Sequence, residues 1–407
     1  MVTRKTVCCI VGGGPAGVML GFLLARAGVE VVVLEKHADF FRDFRGDTIH
    51  PSTMQVMDEL GLLDDLLKIK HSQVQSLSGS IGGVEIRIAD FSHVPGRSKF
   101  LAFMPQWDFL KFLTDRAQAY PSFHLEMNAQ AIDLLREGDR ITGVTVERSG
   151  VSETILADLV VAADGRHSTL RQCAGMEVVN TGAPMDVLWT RISRLPSDPP
   201  QTFGTISAGG ILVLINRIDY YQCAYVIRKG GFDAIKARGL SFLRDEIVRF
   251  VPRLKGRIDE IASWDDVKLL SVAVDHLETW YRSGLLCIGD AAHAMSPIGG
   301  VGINLAIQDA VASANLLCAP LASGSLASSD LQAVQRRREP PTRKTQALQV
   351  FIQNRVITGV LASGSSVKVP VLLRLVSKIP LLRRIPAYIV GIGFRPEHVR
   401  APDMAAR

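Results

Sequence analysis

The sequence offers little from which side chains alone could build a redox or metal centre. Its six cysteines, Cys8, Cys9, Cys173, Cys223, Cys287 and Cys318, are scattered along 407 residues and form no CxxC pair. Neither a zinc site nor a dithiol is therefore indicated, and no metal is expected. Several of these thiols sit in apolar runs, where they behave as small core hydrophobes, and a reducing cytoplasm is the simplest compartment. No signal-peptide pattern is read: the apolar TVCCIVGG begins at once and leads into a glycine turn, as a first strand does. The uncharged stretch Ala310 to Ser329 includes Asn315, Pro320, Gly324 and several serines; it predicts a buried helix and a loop, not a membrane span. No nucleic-acid module, internal repeat or low-complexity linker is found. Aromatic residues make up only 6%, against many Leu, Ile and Val, which suits a lipophilic ligand and ordinary core packing equally.

With 47% apolar and 21% charged residues, the chain is that of a globular enzyme, long enough for two interleaved domains. Its net charge of +6 is uneven: from Arg336 to Arg400 thirteen Lys/Arg face two acids, Glu339 and Glu397. That imbalance fits a solvated helical face or peripheral contact with an anionic membrane. Within it, Val367 to Phe394 mixes aliphatic and basic residues and is interrupted by Pro370, Pro380 and Pro386, so short helices are expected.

VCCIVGGGPAGVMLGFLLARAGVEVVVLEK reads as strand, turn, helix, strand. Gly12, Gly14 and Gly17 make G-x-G-x-x-G: a tight turn, close approach to a pyrophosphate, and close packing of helix on strand. The helix start then offers free N–H groups and a positive dipole end. Glu35 closes the next strand about twenty residues on, where an acid can hold ribose hydroxyls. NAD and FAD both use this unit, so the cofactor stays undecided at this point.

Three further segments share the grammar of a motif at an element end. FRDFRGDTIHPSTMQVMDELG places Arg42 and Arg45 before a helix opened by Pro51 and closed by Gly61; an arginine fork suits phosphate oxygens. LVVAADGRHSTLRQCAG is a buried strand, then Asp164-Gly165, then a helix with Ser168 at its start. GLLCIGDAAHAMSPIGGVGIN is a strand ending at Gly289-Asp290, then a glycine loop, then a helix from about Val301. Two strand-end aspartates and a dinucleotide turn suggest one extended ligand crossing several strand ends. Between them, VLWTRISRL, GILVLINRI and YYQCAYVIRK read as strands of a second sheet.

In order and spacing, GGGPAG, FRG, ADGRHSTLR and GDAAHAMSPIGGVGIN, from about Val7 to Asn315, resemble the class A flavin-dependent monooxygenases, the para-hydroxybenzoate hydroxylase-like family. The resemblance implies an α/β fold: a Rossmann-like FAD-binding domain of the GR2 type (1–75, 100–180 and 268–330), interleaved with a mixed-sheet substrate domain (76–99 and 181–267) and followed by a C-terminal helical region (331–407). It implies that Gly12, Gly14, Pro15, Ala16, Gly17, Glu35 and Lys36 hold the ADP half of non-covalent FAD, with Ala131 at the adenine end. Arg45 would reach the pyrophosphate, and Gln106 and Asp290 the ribityl chain. Asp164 and Gly165 would serve FAD and the nicotinamide. Thr48 and Ile49 would lie beside the ring. Pro297 would shape the loop over the ring, and Gly299, Gly300 and Gly302 would bring N–H groups to the flavin N1/O2 edge, with Ile303, Asn304 and Asp309 completing the pattern. His293 is given a packing or capping role. No catalytic acid or base can be named, and Tyr220, Tyr221 and His276 are candidates only for lining or orienting substrate.

The implied reaction uses NAD(P)H as a transient co-substrate, adds O2 at flavin C4a, and hydroxylates an aromatic or other electron-rich, lipophilic small molecule through the hydroperoxide. A related FAD-dependent reductase or halogenase, or a non-catalytic flavin-binding protein, is the alternative. The loop SPIGGVGINLAIQDA favours a hydroxylase, and no W-x-W-x-I-P halogenase signature occurs.

Overall fold

In the computed structural model, which describes residues 3–41, 48–199, 201–362 and 367–404, the apolar run Thr3–Val11 is a central strand, and both its neighbours run parallel to it. Strands buried on both faces need cover on both sides. The largest sheet orders Tyr281–Arg282, Leu285–Cys287, Val151–Ala162, Thr3–Val11, Val31–Leu34 and Phe123–Glu126, with Arg140–Arg148 and Gln130–Glu137 added antiparallel beside Val151–Ala162. Helix Pro15–Arg26 packs against helix Gly302–Ala322. The stretch Ile298–Ala322 is long and apolar enough to cross a membrane, but 67% of its apolar window is buried inside the protein. It is a core helix, as the uncharged stretch predicted.

A second sheet runs Lys268–Leu270, Met185–Ser193, Tyr220–Arg228, Gly210–Asn216, Phe203–Ser207, Ser76–Ile81 and Val84–Asp90. Its pairs are antiparallel except Phe203–Ser207 with Ser76–Ile81. It is amphipathic on neither side. One face packs on helix Leu240–Phe250 through Leu243, Ile247 and Phe250; the other meets Ile298 and the C-terminal residues Ile357, Val360 and Leu361.

The C-terminal part is a long helix, Ser328–Ile352, a π-turn Gln353–Ile357 and the short helix Thr358–Ala362, then Val371–Lys378 and Arg384–Gly391. Pro370, Pro380 and Pro386 stand at or near the starts of the last pieces, where a missing N–H costs no helical bond.

Candidate active site

Four parallel strands stop in register along one edge. Val11 lies opposite Leu34 and Ala162, and Ala162 opposite Cys287. Backbone bonds carry the alignment one residue further: Gly12 N donates to Leu34 O at 2.8 Å, Ala163 N to Val11 O at 2.8 Å, and Ile288 N to Ala162 O at 3.0 Å. Gly12, Glu35, Asp164 and Asp290 therefore leave the sheet at one rim, the place where open parallel sheets take extended ligands.

At the first turn, Gly12 has φ +112° and an added Cβ would lie 2.3 Å from Ala163 O, so the backbone itself demands glycine. A Cβ on Gly17 would lie 2.0 Å from Gly12 O, which is the close helix–strand contact; at Gly14 it would meet no atom within 4 Å. Helix Pro15–Arg26 has no side-chain cap at its start, leaving N–H groups and the dipole end for an anion. Ala16 is buried beneath that start. Glu35 accepts from Gly13 N and from His37 N, each at 3.0 Å, so the acid also fixes the turn. Lys36 is exposed next to it. Ala131 is buried in Gln130–Glu137; nearby, Ala129 N donates to Glu35 O at 2.9 Å. Gln106 opens helix Gln106–Ala117. Arg42 and Arg45 lie outside the described residues.

The second rim acid, Asp164, accepts from Leu170 N at 3.2 Å through Oδ2, while its buried Oδ1 meets no protein donor. Burial pushes its carboxyl up, against the hydrogen bonds of Ser168 and the Leu170 N–H. Gly165 follows at φ +86° with no atom near a would-be Cβ. Ser168 caps the next helix, accepting from Arg171 N at 3.0 Å. Arg166, two residues past Asp164, pairs with Asp290 at 3.3 Å and ties the turn after one strand-end acid to the other.

The glycine loop is held from three sides. Asn304 accepts from His50 N at 2.9 Å and Thr53 Oγ1 at 2.6 Å, and donates to Thr48 O at 3.3 Å; its side chain is a staple between protein segments. Ile303 is buried beside it. Pro297 caps the turn Ile298–Gly300, and Gly299 and Gly300 have φ +78° and +63°. Gly302 opens the helix with no atom within 4 Å of a would-be Cβ. Below the loop, Asp309 Oδ2 accepts from Gly289 N at 3.1 Å and meets His293 Nε2 at 2.6 Å, while Oδ1 accepts from Arg338 Nε at 3.0 Å. Burial alone would raise the Asp309 carboxyl, but His293 and Arg338 outweigh it and hold it below the usual carboxylate range. His293 is thus a buried brace under Asp290, packed on Trp280 with ring centroids 4.9 Å apart.

The third support was missed in the sequence. From one face of the C-terminal helix, Gln346 Nε2 donates to Asp275 O and Ala294 O, Gln349 Nε2 to Ser296 O and Ile298 O, and Gln353 Nε2 to Ser296 Oγ, all at 2.7–3.0 Å. The signal was the spacing of QALQVFIQ, which puts three amides on one helical face.

Of the substrate candidates, Tyr221 needs correction. Tyr221 is fully buried, its hydroxyl donates to Pro199 O at 2.6 Å, and its ring packs with Cys223, Tyr225 and Ile247 on the sheet face away from the glycine loop. The face that meets Ile298 carries Trp189, Val213, Ala224 and Val226, because successive strand residues alternate sides. Tyr220 stacks under Arg191, whose guanidinium carbon is 3.9 Å from the ring centroid. His276 sits on the ribbon Asp275–Leu277 against Arg343 of the long helix, and burial and that arginine push its imidazole down.

The family described as FAD binding domain matches residues 4–347. The chain is 33% identical to 6-methylpretetramide 4-monooxygenase of Streptomyces rimosus over 93% of its own length and 91% of that protein's. It is 26% identical to the uncharacterized aromatic compound monooxygenase YhjG of Bacillus subtilis over 75% of its length, spanning 60% of that longer relative. In fold it is similar to p-nitrophenol 4-monooxygenase PnpA from Pseudomonas putida, with a TM-score of 0.78, 19% identity, and coverage of 97% of this chain and 100% of that one.

Proposed function

The chain belongs to the FAD binding domain family and is an FAD-dependent monooxygenase, and from that premise we propose that it hydroxylates an electron-rich, lipophilic aromatic molecule with NAD(P)H and O2. FAD supplies the chemistry when bound, accepting reducing equivalents from the nicotinamide and handing one oxygen atom of O2 to the substrate.

The residues present fit such a group. Asp164 Oδ1 is a buried acceptor awaiting a donor, and space stands open above Gly14 and Gly302. In this reading Gly12, Gly14, Gly17 and Glu35 hold the ADP half. Asp290, steadied by Arg166, accepts from the ribityl hydroxyls. The amides that open helix Gly302–Ala322 favour negative charge at the ring edge. Residues 1–75, 100–180 and 268–330 then form the FAD-binding part, and 76–99 and 181–267 the substrate part, with the latter's edge strand reaching Leu270.

The observation that carries the substrate class is that Ile298, inside the glycine loop, shares one apolar cluster with Trp189, Val213, Ala224 and Val226 of the second sheet. An apolar floor beside the reactive loop desolvates a lipophilic ring and excludes water. The test offers holoenzyme NADH or NADPH, 18O2 and a panel running from simple phenols to four-ring polyketides such as 6-methylpretetramide. The reading expects an aromatic that accelerates nicotinamide oxidation and a product carrying one 18O. Oxidation indifferent to every aromatic, or products without 18O, would overturn it.

A further inference from the structure

The C-terminal helices turn an apolar face outward. On Val371–Lys378 and the turn after it, Val371 is 82% exposed, Leu372 69% and Leu381 63%, and Leu375, Ile379, Ile385 and Tyr388 are exposed as well. The opposite side of the same segment is fastened down. Leu373 packs beside Ile81, Ile86 and Val369, Arg87 N donates to Ser377 Oγ at 3.0 Å, and Arg383 Nη2 donates to Ser377 O at 2.6 Å. Positions 371, 372, 375 and 379 recur at helical spacing, so the outward side chains form one stripe. The stripe is not the inner face of a loose helix; the structure fixes which side looks out.

Charge says what covers it. Between Val367 and Phe394 the sequence has Lys368, Arg374, Lys378, Arg383 and Arg384 and no acid. Arg374, Lys378 and Arg384 are exposed among the apolar residues. The nearby Asp90 accepts from Ser92 N and Ser92 Oγ, and Arg384 reaches His93 Nε2 at 3.1 Å. An apolar groove of about 300 Å3 continues the face between Val94 and Ile385, Tyr388 and Ile389. In a twofold dimer the same patch meets itself, which would press these like charges together. An anionic bilayer instead takes aliphatic side chains at the acyl boundary and cations at the headgroups.

We propose that this face docks the enzyme peripherally on an anionic membrane surface. Each basic residue near such a surface raises partitioning roughly fivefold, and the attraction falls as salt screens it. The docking does not depend on the identity of the substrate or on turnover.

The test sediments full-length FAD-loaded protein with sucrose-filled vesicles, either phosphatidylcholine alone or phosphatidylcholine with phosphatidylserine at about 7:3. Wild type is expected to pellet with the anionic vesicles at low salt and to stay in solution with neutral ones. Arg374→Glu plus Lys378→Glu should weaken binding at least tenfold, and so should Leu372→Ser plus Leu375→Ser, which leaves every charge in place. Lys5→Glu plus Lys111→Glu, at distant exposed sites, should not change it beyond twofold. Retained flavin and an unchanged melting temperature certify each fold. No pelleting with anionic vesicles would overturn the proposal. So would equal loss in the distant-charge variant, or a dimer in sedimentation velocity that Leu372→Ser plus Leu375→Ser dissolves.

Discussion

Gly300 stands against Thr48 so closely that a Cβ on the glycine would lie 2.8 Å from Thr48 Oγ1, in a backbone with φ +63°. A side chain there meets protein before it meets any ligand. Gly300→Val is therefore expected to cost about 1–3 kcal/mol of stability as well as loop placement, and a thermal melt reads it. Gly302→Ala, in open space, should leave the melting temperature within about 0.5 kcal/mol equivalent while weakening FAD. If Gly302→Ala binds FAD as wild type does, that opening does not face the cofactor.

Asp290 and His293 are three residues apart and have different work. Asp290→Ala removes the proposed charged acceptor for the ribityl chain and should raise the FAD dissociation constant by about 10- to 100-fold, the equivalent of about 1.5–3 kcal/mol. His293→Ala strips a partner from buried Asp309 and should appear mainly as about 1–3 kcal/mol lost in urea unfolding of the apo-protein. Flavin titration and denaturant midpoints, measured on both, separate the roles; equal losses of FAD affinity would mean the roles are misassigned.

His50 gives a pH signature. It is fully buried, its Nδ1 lies 2.6 Å from Val390 O, and burial lowers its imidazole from 6.5 to about 4. Because the unfolded chain takes up the proton first, the stability of the neutral form is whole above about pH 6.5 and is lost as pH falls toward 4. The loss is on the order of 3 kcal/mol. His50→Asn should flatten this part of the stability–pH curve between pH 7 and 4.5. An unchanged slope would show that other groups carry it.

Much of the rim was readable because backbone demands choose residue types: Gly12 needs its positive φ, Gly17 its close contact, and each acid follows within three residues of its strand's end. The second sheet was readable as strands but not as faces. Tyr221 and Ala224 look equally suited to a pocket until it is known which side helix Leu240–Phe250 covers. The glutamine row shows its spacing in the sequence but not its partners. Four of its five partners are backbone carbonyl oxygens about fifty residues or more away in sequence, the fifth being Ser296 Oγ, and backbone groups leave no trace in sequence.

That row makes its own prediction. Gln349 donates to two carbonyl oxygens, Ser296 O and Ile298 O. Gln349→Leu should lose about 1–3 kcal/mol from two unsatisfied acceptors, and Gln349→Glu should lose more at pH 7, since a carboxylate faces oxygens that repel it. Melting curves at pH 7 and 5 test the order: the Glu variant should recover toward the Leu variant as it is protonated. A Glu variant as stable as wild type at pH 7 would remove Gln349 from the loop's support.

The most direct test of the account is the identity and stoichiometry of the flavin. Purified protein saturated with flavin and then acid-precipitated should release about one FAD per chain into the supernatant, leaving a colourless pellet. Release of FMN, a pellet that stays yellow, or no flavin bound to correctly folded protein would contradict it.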